Sequence, residues 1–142
     1  MGWLFRSPKP RHVAILNQQL KDLSRAFPVW IDDDYKFIIV GGVKLPPEYN
    51  ISETELLIEL PADYPFSPPG VAGSHMYVSP ALRFGGRELE DMHLSTTPPF
   101  QTPRFGPWAW WCYERIRWDA VRDNLIKFIE MVRADLTNPP TK

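Results

Sequence analysis

The chain is 142 residues long, one domain by the usual size prior and long enough to bury a core. Its content of 44% hydrophobic and 23% charged residues is that of a globular protein, and a net charge of −1 leaves no electrostatic footprint for nucleic acid. No apolar run reaches bilayer-spanning length, the first residues lack the apolar segment and cleavage site of a signal peptide, and Arg6 stands where a myristoylation site needs Ser or Thr. A cytoplasmic location without membrane attachment is therefore expected.

Residues 1–10 read as a flexible, basic lead-in, and 11–142 as a single domain. From Arg11 to Phe27, Val13, Leu16, Leu20, Leu23 and Phe27 recur at steps of three and four, which predicts an amphipathic helix stopped by Pro28. Val29-Trp30-Ile31 is a short strand, and Asp32-Asp33-Asp34 a turn. Cation-binding loops space their ligands at alternate positions and need more of them, so the triple Asp reads as solvated. Tyr35–Val40 is a β-branched and aromatic strand, and Gly41-Gly42 marks a turn or bulge. After the rigid Leu45-Pro46-Pro47-Glu48-Tyr49-Asn50, the stretch Glu53–Leu60 alternates as a third strand, with Leu56, Ile58 and Leu60 on one face. Pro61–Val71 holds too many prolines for a central strand, and Val71–Val78 offers a fourth.

Residues 79–111 show no period. Irregular stretches of that length in compact domains are usually functional, and this one carries Phe84, Phe100, Phe105, Trp108, Trp110 and Trp111 to pin it, most simply by packing it onto a helix. It leads into the sole cysteine, Cys112. One thiol can form no intramolecular disulfide and is a poor metal site, so Cys112 is an apolar filler, a surface thiol or a nucleophile. Beyond Trp118, the residues Val121, Leu125, Phe128, Ile129, Val132 and Leu136 fit one helix face, with Asp119 placed as N-cap and Asn138-Pro139-Pro140 as the stop. The fold class is α+β: an N-terminal helix, a four-stranded antiparallel meander, a long Pro/aromatic loop with the Cys, and a C-terminal helix.

That order, with Tyr64-Pro65-Phe66-Ser67-Pro68-Pro69-Gly70-Val71 before the fourth strand and Cys112, Trp118 and a helix after the loop, resembles the ubiquitin-conjugating (UBC-like) enzymes over roughly residues 11–136. Leu45–Asn50, Leu57–Pro65 and Met76–Arg83 are similar to the prokaryotic branch called family E. The resemblance implies a transferase that accepts a ubiquitin-like protein from an activating enzyme as a thioester on Cys112 and passes it to an amine. It needs no cofactor or metal of its own. Its implied partners are the activating enzyme, the ubiquitin-like protein and a metal-dependent deubiquitinase-like peptidase, in operons some of which are linked to antiphage defence.

Thiol-for-thiol exchange is nearly isoenergetic, and an ordinary thiol is already a few per cent thiolate at neutral pH, so no strong base is demanded. The wider family carries His-Pro-Asn before its Cys. Here Gly106–Trp111 contains neither His nor Asn, which leaves backbone N–H groups of Trp110–Tyr113, or His93 if its loop folds back, to face an oxyanion. Tyr113, Glu114 and Asp119 are candidates to orient or deprotonate the amine. His12 and His75 are expected to be non-catalytic. The alternative is a catalytically inactive module of the same fold that binds a ubiquitin-like protein or the activating enzyme; a cysteine hydrolase lacks a histidine visibly placed as base.

Overall fold

The computed structural model describes residues 13–70, 74–100, 102, 105–113 and 116–142. The lead-in, His12, Val71 and Glu114 lie outside these. Helix α1 spans Val13–Ser24 and buries Leu16, Leu20 and Leu23. It stops three residues short of Phe27, whose N–H closes a last turn on Leu23 O at 3.0 Å. Strands β1 (Val29–Ile31), β2 (Phe37–Lys44), β3 (Glu53–Glu59) and β4 (Met76–Val78) form the expected antiparallel meander. The carboxylate of Asp32 holds the β1–β2 turn together, accepting from the N–H groups of Asp34 (3.2 Å) and Lys36 (3.1 Å).

Gly41-Gly42 is a bulge within β2, not its end: the register shifts between Val40 and Val43, and Gly42 takes φ +66°. A Cβ on Gly41 would lie 3.2 Å from Trp30 Cζ3 and 3.3 Å from Pro28 Cγ, so the bulge sits where Pro28 and Trp30 crowd the backbone.

The sheet has six strands, not four. Two very short ones emerge from the aperiodic stretch, β5 (Met92–His93) and β6 (Ala109–Trp111), and the order is β1-β2-β3-β4-β6-β5. Pairing with β4 creates β6 (Met76↔Trp111, Tyr77↔Trp110, Val78↔Ala109), and β5 adds to its far side. Three and two residues are too few to carry a period, which is why the sequence shows none.

Helix α2 spans Leu125–Thr137, and its N-cap is Asn124, whose side chain accepts from Lys127 N at 2.9 Å. Asp119 instead caps a separate preceding turn, accepting from the N–H groups of Val121 (2.9 Å) and Arg122 (3.2 Å). Asn124 is extended (φ −151°, ψ 179°), which breaks the helix path between the two. Val121, expected on the apolar face, is 93% exposed as a result.

Both faces of the sheet are covered. Ile38, Val40, Leu56, Ile58, Met76, Val78, Ala109 and Trp111 pack beneath the two helices. Phe37, Ile39, Leu57, Tyr77 and Trp108 form a second core on the opposite face, with Trp30, Phe100 and Trp110 against it. Phe37 stacks on Phe100 (4.5 Å, 3°) and Trp30 meets Phe105 edge-on (4.8 Å). Part of the aromatic loop is thus pinned to the sheet, whereas a helix was expected; of its tryptophans Trp111 joins the helical side, as does Trp118 beyond the loop.

The proline-rich segment is tied to both helices. Trp118 Nε1 donates to Pro65 O (2.6 Å), and the Tyr64 hydroxyl donates to Gln19 Oε1, which also accepts from Leu125 N (3.1 Å). Tyr49 Oη donates to Leu136 O (2.7 Å), and Asn50 is laced to residues 81 and 83 through Ala81 O (2.9 Å) and Arg83 N (2.8 Å). After α2 the chain returns to the loop before β5: Leu89 bridges Thr141, Glu90 N donates to Pro140 O (2.9 Å) and Lys142 N to Glu88 O (3.0 Å).

Candidate active site

Strand alternation decides what surrounds Cys112. Trp111 and Tyr113 belong to the helix-side core and Trp110 to the opposite one, so Cys112 shares the outer face with Trp110. The Cys112 N–H donates to Asp91 O at 2.8 Å, which carries the pairing with β5 one residue past the strand. The Tyr113 N–H then donates to Trp111 O at 2.9 Å, a three-residue turn centred on the cysteine. Strand β6 therefore ends by bending at Cys112, and the residue is half-buried.

On the other side of β6, the β4 register ends with Met76 paired to Trp111; His75 and Cys112 are the next residues beyond that pair. The Cys112 N–H points to β5, and His75 O points to β3, where it accepts from Glu59 N at 2.9 Å. The Cys112 N–H and the His75 carbonyl are thus both taken up by the strands on their outer sides. The β3 register sets Glu59 opposite His75 in turn. Its Oε1 accepts from the His75 backbone N–H (3.0 Å) and lies 3.5 Å from His75 Nδ1, while its Oε2 accepts from the Tyr77 hydroxyl (3.0 Å). Burial, followed by the hydrogen bond to Glu59 and its charge, raises the Tyr77 pKa, so this phenol stays a donor. Glu59 ends β3, His75 directly precedes β4 and Cys112 directly follows β6, so the three neighbouring strands bring them to one end of the sheet.

Trp110 fills the adjacent register position. Its indole stands between two imidazoles, His75 edge-on at 4.9 Å and His93 stacked at 4.6 Å with 27° between planes. The loop bearing His93 does fold back, as β5, with His93 paired to Trp110 and exposed on the face of Cys112.

The other candidates are placed differently. The Tyr113 ring is buried in the helix-side core, stacked on Trp111 (5.1 Å) and edge-on to Phe128 (6.1 Å). Asp119 is exposed, and its carboxylate is engaged with its own turn. Three of the four backbone donors suggested for an oxyanion are occupied: Trp110 N donates to Thr96 O (2.9 Å), and the N–H groups of Cys112 and Tyr113 are used as described. That correction follows from β6 being a paired strand and not a loop. Among the described residues, no three His, Cys, Asp or Glu side chains are grouped to hold a metal ion.

Sequence reasoning gave Glu59 no role and set His75 aside as non-catalytic. Their outer-face positions follow from the spacing Leu57/Glu59 and His75/Tyr77, but the register that aligns them depends on the loop between β3 and β4. No family model, curated protein or solved structure matches the chain.

Proposed function

We propose that the chain is a ubiquitin-conjugating-type carrier with a UBC-like fold: it accepts a ubiquitin-like protein from an activating enzyme as a thioester on Cys112 and hands it to an amine. The observation that carries this reading is the position of Cys112, half-buried at a bend where a paired strand ends, and not sealed inside either core. A helix, a four-strand meander, the Cys segment and a second helix follow in the order of the family resembled, which supports the same reading. The activating enzyme and ubiquitin-like protein are the proposed partners, a deubiquitinase-like peptidase the proposed counter-activity, and antiphage defence the proposed setting.

A second reading gains from the grouping of Glu59, His75 and Cys112. An acid, an imidazole and a thiol in that order also suit a cysteine hydrolase. One experiment separates the possibilities. The chain is incubated with ATP and the activating enzyme and ubiquitin-like protein of operons of the resembled bacterial type, then run on non-reducing gels. The carrier gives a thiol-sensitive adduct that is absent in Cys112→Ala. Stable binding without adduct overturns it in favour of a passive module, and cleavage of a preformed conjugate overturns it in favour of the hydrolase.

A further inference from the structure

Resting on Cys112 as the acyl carrier, we propose that His75, held by Glu59, is the group that takes and returns the proton at that sulfur. Three observations converge on it. The β4–β6 pairing ends at Met76↔Trp111, and His75 and Cys112 are the residues that follow it on the two chains. Glu59 grips His75 twice, at the backbone N–H (3.0 Å) and beside Nδ1 (3.5 Å), which leaves Nε2 for proton exchange. Trp110, two residues before Cys112, meets the His75 ring edge-on at 4.9 Å and helps fix it there. Glu59 is thus a positioning residue and His75 the catalytic base.

In charging, the Cys112 S–H proton passes to Nε2 and the thiolate attacks the carbonyl carbon of the incoming thioester. A C–S bond to Cys112 forms, the C–S bond to the activating enzyme breaks, and the departing thiolate takes its proton from the imidazolium. In discharge, an acceptor amine attacks the Cys112 thioester and gives one proton to His75. The C–N bond forms, the C–S bond breaks, and the proton returns to the Cys112 sulfur. Each half leaves the imidazole as it began. An imidazole next to a thiol does this work in unrelated enzymes because it favours the thiolate and can hold its proton nearby.

The test needs no partner protein. Alkylation of Cys112 by iodoacetamide is followed by intact mass from acidic to alkaline pH in the full chain, for wild type, H75Q, E59Q and H93Q. Thermal melts serve as the folding control. An ordinary thiol shows its midpoint near about 8.5. The wild type is expected below that value; H75Q returns the midpoint to it and slows alkylation at neutral pH roughly fivefold. E59Q moves it part of the way, and H93Q leaves it in place. Should H75Q not fold, E59Q, which keeps an amide oxygen opposite the His75 N–H, makes the same comparison. Superimposable profiles for wild type and the folded His75 or Glu59 variants overturn the proposal, as does an H93Q shift equal to that of H75Q. A shifted profile with no adduct in the charging assay removes the carrier reading alone; charging with unshifted profiles removes His75 alone.

Discussion

At the scale of single residues, the most consequential polar atom outside the site is Gln19 Oε1. It receives the Tyr64 hydroxyl from the proline-rich segment and the Leu125 N–H at the first turn of α2. Helix N–H groups at that end have no intrahelical partner, so α1 supplies one from a distance. Gln19→Leu strands both donors, and we expect a loss of about 2–3 kcal/mol in urea unfolding, against about 1 kcal/mol for Tyr64→Phe, which removes only one partner. Gly42 is a second case. Its φ of +66° disfavours a side chain, and Gly42→Ala should destabilise by about 1–2 kcal/mol in the same assay. The glycine pair was legible in the sequence as a turn or bulge. Gln19 was not, because nothing in a polar helix position tells which distant N–H it will meet.

At the scale of elements, strand length governs what could be read. Strands β2 and β3 are announced by β-branched residues and alternation, and the shorter β1 and β4 by apolar character and the turn and proline signals around them. Strands β5 and β6 are imposed by pairing, since Ala109–Trp111 acquires its conformation from β4 and Met92-His93 from β6. The same cause explains the site. Cys112 was legible as the candidate nucleophile from its solitary place in the chain and the order of motifs around it, whereas the grouping that reaches Glu59 depends on two registers that no local signal encodes. The aromatic loop has its own structural task. Trp108, 6% exposed, caps the outer core against Phe37, Ile39, Leu57 and Tyr77. Trp108→Ala should cost about 3–5 kcal/mol and open residues 94–108 to limited proteolysis before the helical side unfolds.

At the scale of the whole molecule, three tyrosines join pieces far apart in sequence: Tyr49 reaches Leu136, Tyr64 reaches Gln19, and Tyr77 reaches Glu59. Burial raises all three pKa values; the charge of Asp123 adds to the effect at Tyr64, and the hydrogen bond and charge of Glu59 add to it at Tyr77. A raised folded-state value means that the native state holds the proton more tightly than the unfolded chain, whose phenols titrate near about 10. The stabilisation is complete below that pH and is lost as the pH climbs toward the folded values. Tyrosinate absorbance from these residues should therefore rise together with the loss of circular dichroism in alkali; a rise well before unfolding contradicts their burial. The α+β class and the helix–meander–helix order were open to sequence reading at this scale. The second core was not, because it is assembled by a loop whose rings find the sheet only in three dimensions.

The return of the chain after α2 has a mechanical consequence. Pro140 and Lys142 are hydrogen-bonded to residues 88–90, and the next carbonyl along, that of Asp91, holds the N–H of Cys112. Tension applied at residues 140–142 is transmitted through a handful of bonds to the one thiol in the protein, so this segment and the reactive bend are coupled in series.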